Sequence, residues 1–193
     1  MDTSDEELVE RCVEEIPYVT RSFEQLMRRY EATVYRSCLR YLGDSHEAEE
    51  ASQDAFIRVF HGLKGFAGRS AFRTWLYRIV KNVCATRYQK IQKEAERKAA
   101  FLQQAREDEQ STYTTQMVEG IAGPIGDALA RLSSDDREII TLRHVSELSV
   151  PELAEVLGTK LSATKMRLSR AEKRFREAYE TITGKSGEFP SGM

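Results

Sequence analysis

Between Arg73 and Asn82 the chain reads RTWLYRIVKN. Arg73, Tyr77, Lys81 and Tyr88 recur at helical spacing, with Arg78 beside them and Trp75 at the edge of the same face. Cations alone would serve duplex phosphates. Aromatic rings set between them add surfaces on which bases can stack after leaving the duplex. The alternative is that Trp75 and the tyrosines are core residues and the cations a solvated rim. A second basic cluster, Lys160, Lys165, Arg167, Arg170, Lys173, Arg174 and Arg176, sits in one later segment. Residues suited to covalent or metal chemistry form no comparable group. Cys12, Cys38 and Cys84 are odd in number and far apart in sequence, and His46, His61 and His144 are scattered. No CxxC pair, Ser/His/Asp set, glycine-rich phosphate loop or repeat occurs, so the expectation is a protein with no cofactor, no metal and no catalysis.

Composition agrees with a nucleic-acid ligand only once its distribution is considered. The net charge of −2 would by itself argue against a polyanionic partner. Summed by segment, residues 1–60 carry about −7, residues 61–100 about +8 and residues 160–176 about +6. Two basic blocks separated by acidic stretches suit a protein that touches a polyanion at two places. Apolar residues at 40%, charged residues at 31%, only four prolines and eleven glycines predict an all-α protein. No apolar run approaches the roughly 18 residues of a membrane span, and the acidic start MDTSDEELVE lacks signal-peptide features. The expectation is a cytoplasmic protein without membrane insertion.

The elements that must position these groups follow from periodicity and punctuation. Ser4 opens a short acidic helix with Leu8, Cys12 and Val13 inward, ending before Pro17. Ser22 is the expected cap of a second helix, whose buried face holds Phe23, Leu26, Met27, Tyr30 and Val34 and which Gly43 closes. A third helix starts at Ser45 or His46 and leaves Glu49, Glu50, Gln53, Asp54 and the apolar Ile57 exposed. The loop KGFAGRS then leads to the basic helix, with Ser70 as its expected cap. After Lys90 the pattern becomes polar, and residues 106–116 are expected to be disordered. A second domain follows, with capping signatures at Ser133/Asp136 and Ser149/Glu152, a stop at Gly158, and a long last helix capped by Ser162. A short helix, a tight turn and a second helix with outward cations form a helix-turn-helix, the second helix entering a major groove. An ordinary α-hairpin with a charged exterior is the competing reading.

These residues resemble a family. FAGRSAFRTWLYRIVKN resembles the −10-reading region of extracytoplasmic-function (ECF, group 4) bacterial sigma factors, and LSSDDREIITLRHVSELSVPELAEVLGTKLSATKMRLSRAEKRFRE resembles their −35-reading domain. EAEEASQDAFIRVF resembles their polymerase-gripping helix. The resemblance implies two small helical domains joined by a flexible linker: 1–92 as region 2, 93–124 as linker, 125–183 as region 4 and 184–193 as a flexible tail. It implies that Gln53, Asp54, Phe56 and Arg58 dock on core RNA polymerase, at its clamp coiled coil, with the flap as a second contact. Ala67, Gly68, Arg69 and Ser70 would form a pocket for a base flipped from the −10 strand. Arg73, Trp75, Tyr77, Arg78, Lys81 and Asn82 would hold the flanking DNA. Ser162, Ala163, Lys165, Met166 and Arg170 would approach −35 base edges, while Arg167, Lys173 and Arg174 hold phosphates. Residues Glu107 to Glu109 of the linker would mimic nucleic-acid charge near the transcript exit path. The implied partners are core polymerase, promoter DNA and an anti-sigma factor. Glu147 departs from the family by standing where a glycine is usual before the helix-turn-helix; so do Thr86, Ser162-Ala163-Thr164 and Met166. A stand-alone helix-turn-helix regulator with an N-terminal dimerisation or sensing domain is the rival reading.

Overall fold

Capping chemistry fixes where most of the helices begin and end. In the computed structural model, which describes residues 3–106 and 123–184, every regular element among the described residues is helical. Helix α1 (Asp5–Glu15) starts on a complete capping box between Ser4 and Glu7 and buries Leu8, Val9 and Cys12, while Val13 stays exposed. A cis Ile16–Pro17 peptide bond follows it. Helix α2 (Arg21–Leu42) begins after Thr20, so Ser22 lies inside the helix and is not its cap. Glu15, at the end of α1, takes the Ser22 N–H at 3.0 Å and its hydroxyl at 2.8 Å. A carboxylate from the neighbouring helix has replaced the local cap. Gly43 ends α2 in the left-handed conformation at φ 79°.

Asp44 caps α3 (Ser45–Gly62) by accepting from the Glu47 N–H at 2.8 Å. A single 3-10 turn, Leu63–Gly65, leads into the 66–71 loop. Helix α4 (Phe72–Arg106) takes its first bond from the Trp75 N–H to the Ala71 carbonyl, one residue beyond the expected Ser70 cap. It runs 35 residues without interruption. Its buried positions stop after Cys84, and from Gln92 to Phe101 every side chain is exposed. Residues 92–101 of α4 therefore add nothing to the core, as their polar sequence predicts.

The second half is built the same way from local signals. Helix α5 (Pro124–Ala130) has Pro at its first position, and α6 (Ser134–His144) is capped by Ser133, which accepts from the Asp136 N–H at 3.1 Å. Helix α7 (Val150–Leu157) carries the complete Ser149/Glu152 capping box and ends at Gly158, φ 65°. Helix α8 (Leu161–Thr183) starts two residues earlier than expected, with Lys160 at the cap position, so Ser162 falls in its first turn. Thr164 Oγ1 donates to the Lys160 carbonyl at 3.1 Å and meets Thr159 Oγ1 at 2.7 Å, which holds the tight turn. Thr164, Leu168, Ala171 and Phe175 face inward, as the pattern predicts. Buried apolar residues of both halves join in one continuous core, with α6 packed on α2 and α7 on α4. The acidic linker residues Glu107 to Glu109, the rest of 107–122 and the tail from 185 onward lie outside the described residues.

Candidate nucleic-acid interfaces and docking groove

Three surfaces gather the residues singled out in the sequence. The first is a groove between α2 and α3 of about 990 Å³, lined among others by Met27, Tyr35, Gln53, Phe56, Ile57 and Phe60. Phe56 is buried and forms the floor, while Ile57 is 56% exposed on the rim. An isolated apolar residue on a polar helix face is thus the edge of a continuous apolar trough. Gln53 belongs to the groove; Asp54 and Arg58 are not among its lining residues. Asp54 instead joins Glu47 and Glu50 around Arg87, whose guanidinium reaches Glu47 at 2.8 Å and Asp54 at 3.4 Å. The sequence pattern offered no signal for the α2 contribution, because Met27 reads as an ordinary core position and nothing in the pattern singles out Tyr35.

The second surface is the loop before α4 and the face that follows it. Gly68 adopts φ 65°, a conformation that would strain any side chain there, and Ala67, Gly68 and Arg69 are exposed. A cavity of about 500 Å³ opens beside Gly68 and Ser70, with Phe66 and Phe72 on one side and Glu6, Glu10 and Glu14 of α1 on the other. Trp75 is half-buried against Phe66 and Phe72, with ring centroids 5.0 and 5.9 Å away. It also rests on Gly62, where a Cβ would meet the indole at 3.0 Å. Asn82 is exposed.

The rest of this face differs from the expectation of an exposed cation-and-ring surface. Tyr77 is buried at 1% exposure, and burial raises its pKa to about 12, opposed by the Arg73 charge. Arg73 donates to the Ser146 carbonyl, and Arg78 to the Glu155 carbonyl at 3.2 Å. Glu138 of α6 is buried, which raises its pKa against the pull of Lys81 and Arg167. The physical reason is the second half of the chain: α6, α7 and their connecting turn occupy the space that a surface reading left to solvent.

The third surface is the start of α8. Ser162, Ala163, Lys165, Met166 and Arg170 are exposed, with Met166 at 63%. Lys173 and Arg174 are exposed as well, and Arg174 holds Asp136 at 2.7 Å. Arg167 is half-buried, donating to the Asp135 carbonyl at 2.6 Å and to Glu138 at 3.0 Å. These are the first turns of the second helix of a helix-turn-helix, the part that reaches base edges in a major groove.

Comparison with known proteins supplies the remaining observation. The Sigma-70 region 2 family matches residues 26–94, and the Sigma-70 region 4 family matches residues 122–175. The RNA polymerase sigma factor YlaC of Bacillus subtilis is 31% identical over 153 residues, covering 78% of this chain and 87% of that protein. The chain belongs to the ECF sigma factors. The ECF RNA polymerase sigma factor SigW of the same organism is 28% identical, covering 81% of this chain and 88% of its own length. The fold is shared with CnrH, solved in complex with the cytosolic domain of CnrY, at a TM-score of 0.67 and 24% identity over 91% of this chain and 97% of that one. As a sigma factor it directs core RNA polymerase to promoter DNA, and the rival reading as a stand-alone regulator is set aside. No helix among the described residues is long and apolar enough to cross a membrane, and none of their His, Cys, Asp and Glu side chains cluster as a metal site.

Cys38 and Cys84, 46 positions apart in sequence, meet inside region 2 with their sulfurs 3.6 Å apart as free thiols. Their separation in the chain gave no hint of this, because it follows from the packing of α2 on α4.

Proposed function

We propose that this sigma factor divides its work among the three surfaces, with no chemistry of its own. The α2–α3 groove, with Gln53, Phe56 and the Ile57 rim, takes an apolar element of core polymerase; Asp54 and Arg58 flank it. The 67–70 loop and the Arg73–Asn82 face capture −10 bases once the duplex parts. Unstacking a base costs a few kcal/mol, and a cavity beside Phe66, Phe72 and Trp75 offsets that cost. Ser162, Ala163, Lys165, Met166 and Arg170 read −35 base edges, and Arg167, Lys173 and Arg174 hold phosphates. Met166 and Ala163 favour contact with thymine methyls. We assign residues 1–92 to region 2, 93–124 to the linker, 125–183 to region 4 and 184–193 to a tail.

The same reading places the protein in the cytoplasm under the control of an anti-sigma factor. Support comes from a solved structure that shares the fold and holds such a partner, the sigma factor RpoE in complex with the anti-sigma factor NepR from Bartonella quintana. One observation carries the reading of DNA: cations and an apolar side chain stand exposed on the first turns of the second helix-turn-helix helix. A permanganate footprint on a cognate promoter tests the whole proposal. Reactive thymines at −10 are expected with core polymerase and this chain together, and with neither alone. Melting by the chain without polymerase, or none with both, would overturn it.

A further inference from the structure

The open side of α4 continues past the point where the helix leaves the core. Trp75 is half-buried and Asn82 exposed, and Thr86, Gln89, Lys93 and Arg97 follow Asn82 on the same side at steps of three and four residues. All four are exposed, and with Lys90 and Glu94 they line a shallow cleft of about 350 Å³. Lys90 meets Glu94 at 3.9 Å, so the one carboxylate lining the cleft is matched within it. Thr86 spends its hydroxyl proton on the Asn82 carbonyl at 2.9 Å, which leaves Gln89, Lys93 and Arg97 as outward donors. Neither Lys93 nor Arg97 is held in an ion pair among the described residues. Arg73 and Arg78, on the earlier turns, instead give their donors to carbonyls of the second half.

We propose that this stripe, with Lys93 and Arg97 as its charges, holds the phosphate backbone of the spacer duplex on the upstream side of the −10 element. The inference rests on the assignment of the 67–70 loop and the Arg73–Asn82 face to −10 DNA. Distance and direction both support it. At ~1.5 Å per residue, Lys93 and Arg97 lie about 16 and 22 Å beyond Asn82 along the helix axis, roughly five to seven base-pair steps of ~3.4 Å. Helix α4 leads through residues 107–122 to the half that carries α8. With α8 on −35 DNA, the far end of α4 points upstream, along the spacer. Every side chain from Gln92 to Phe101 is exposed, so these cations have no packing task inside the chain. An ammonium, a guanidinium and an amide on one line contact phosphate oxygens without reading sequence, and they fix the register of the duplex. Binding a phosphate here breaks no existing ion pair of Lys93 or Arg97 and releases counterions from the DNA.

Two forked promoter fragments test this with the full chain bound to core polymerase. Both carry the unpaired −10 strand; one keeps about three base pairs of upstream duplex and the other about twelve, ending short of −35. The parent is expected to bind the longer fragment more tightly, with a salt dependence steeper by nearly 2 in log K against log salt, since each phosphate contact adds ~0.9. Lys93→Gln combined with Arg97→Gln should erase both differences and leave the shorter fragment's affinity unchanged. Glutamine propagates a helix about as well as lysine or arginine, so α4 stays intact, and circular dichroism checks this. Equal affinity of variant and parent for the longer fragment would overturn the proposal. Equal losses on both fragments would also overturn it, by placing the two cations at the −10 element itself. Tighter binding by the variant would show that the stripe serves an acidic segment of protein, with the same consequence. A shorter fragment with a scrambled −10 strand separates the two readings: if the parent binds it as well as the original, the −10 assignment itself fails.

Discussion

Two basic helix faces in this chain carry the same kinds of cation and meet different neighbours. On α4, Arg73 and Arg78 spend their donors on carbonyls of the other half, and Tyr77 is buried beneath it. On α8, Lys165, Met166 and Arg170 face solvent. A helix wheel assigns both faces to water, because it knows only the residues of its own helix. The contrast teaches that a face built for a polyanion is also built for carboxylates and carbonyls elsewhere in the same chain. Such a face is free only if nothing nearer competes for it.

The largest effect should come from the open face. Lys165→Ala combined with Arg170→Ala is expected to cost promoter affinity about 2–4 kcal/mol, since each side chain that reads a base edge is worth ~1–3 kcal/mol. Folding stability should stay within about 0.5 kcal/mol of the parent, as for other exposed positions. Duplex binding and urea unfolding on the same preparation check both halves of the statement. A large stability loss would show that these side chains are structural, and the contrast between the two helices would disappear.

Next is Arg137→Ala, which acts on the covered side. Its guanidinium serves three carbonyls, those of Leu129, Ala130 and Tyr41, at 3.0 to 3.3 Å, and no carboxylate is among these partners. Hydrogen bonds to a charged group are worth about 1.5–3 kcal/mol, so a loss near the upper end is expected in urea unfolding. Arg137→Lys should recover only part of it, since an ammonium cannot match the planar fork. A variant as stable as the parent would mean that the two halves are not held by this residue.

Legibility in the sequence follows the range of the interaction responsible. The helix start at Ser4, the Ser149/Glu152 capping box and the stops at Gly43 and Gly158 were readable because three or four residues decide each one. Ser22 misled because a carboxylate from α1 reached it first, and Ser162 because the helix begins at Leu161. The inward face of α8 was readable from its period alone. Tyr77, the Cys38–Cys84 pair and the α2 wall of the groove were not, since each depends on how distant helices pack. Ile57 lies between these cases: its oddity was visible, and its meaning required the groove.

The smallest effect concerns one residue of the covering turn. Glu147 adopts φ 55°, a region that favours glycine, beside the buried Ser146. A side chain in the left-handed region costs roughly 1–2 kcal/mol, while glycine gives back about 0.4–1 kcal/mol through a more flexible unfolded chain. Glu147 is exposed, so its replacement disturbs no packing. Glu147→Gly is therefore expected to stabilise the chain by about 0.5 kcal/mol in urea unfolding. Glu147→Val, whose branched Cβ fits this region worse, should destabilise it. If the two substitutions shift stability in the same direction, backbone strain does not govern this turn.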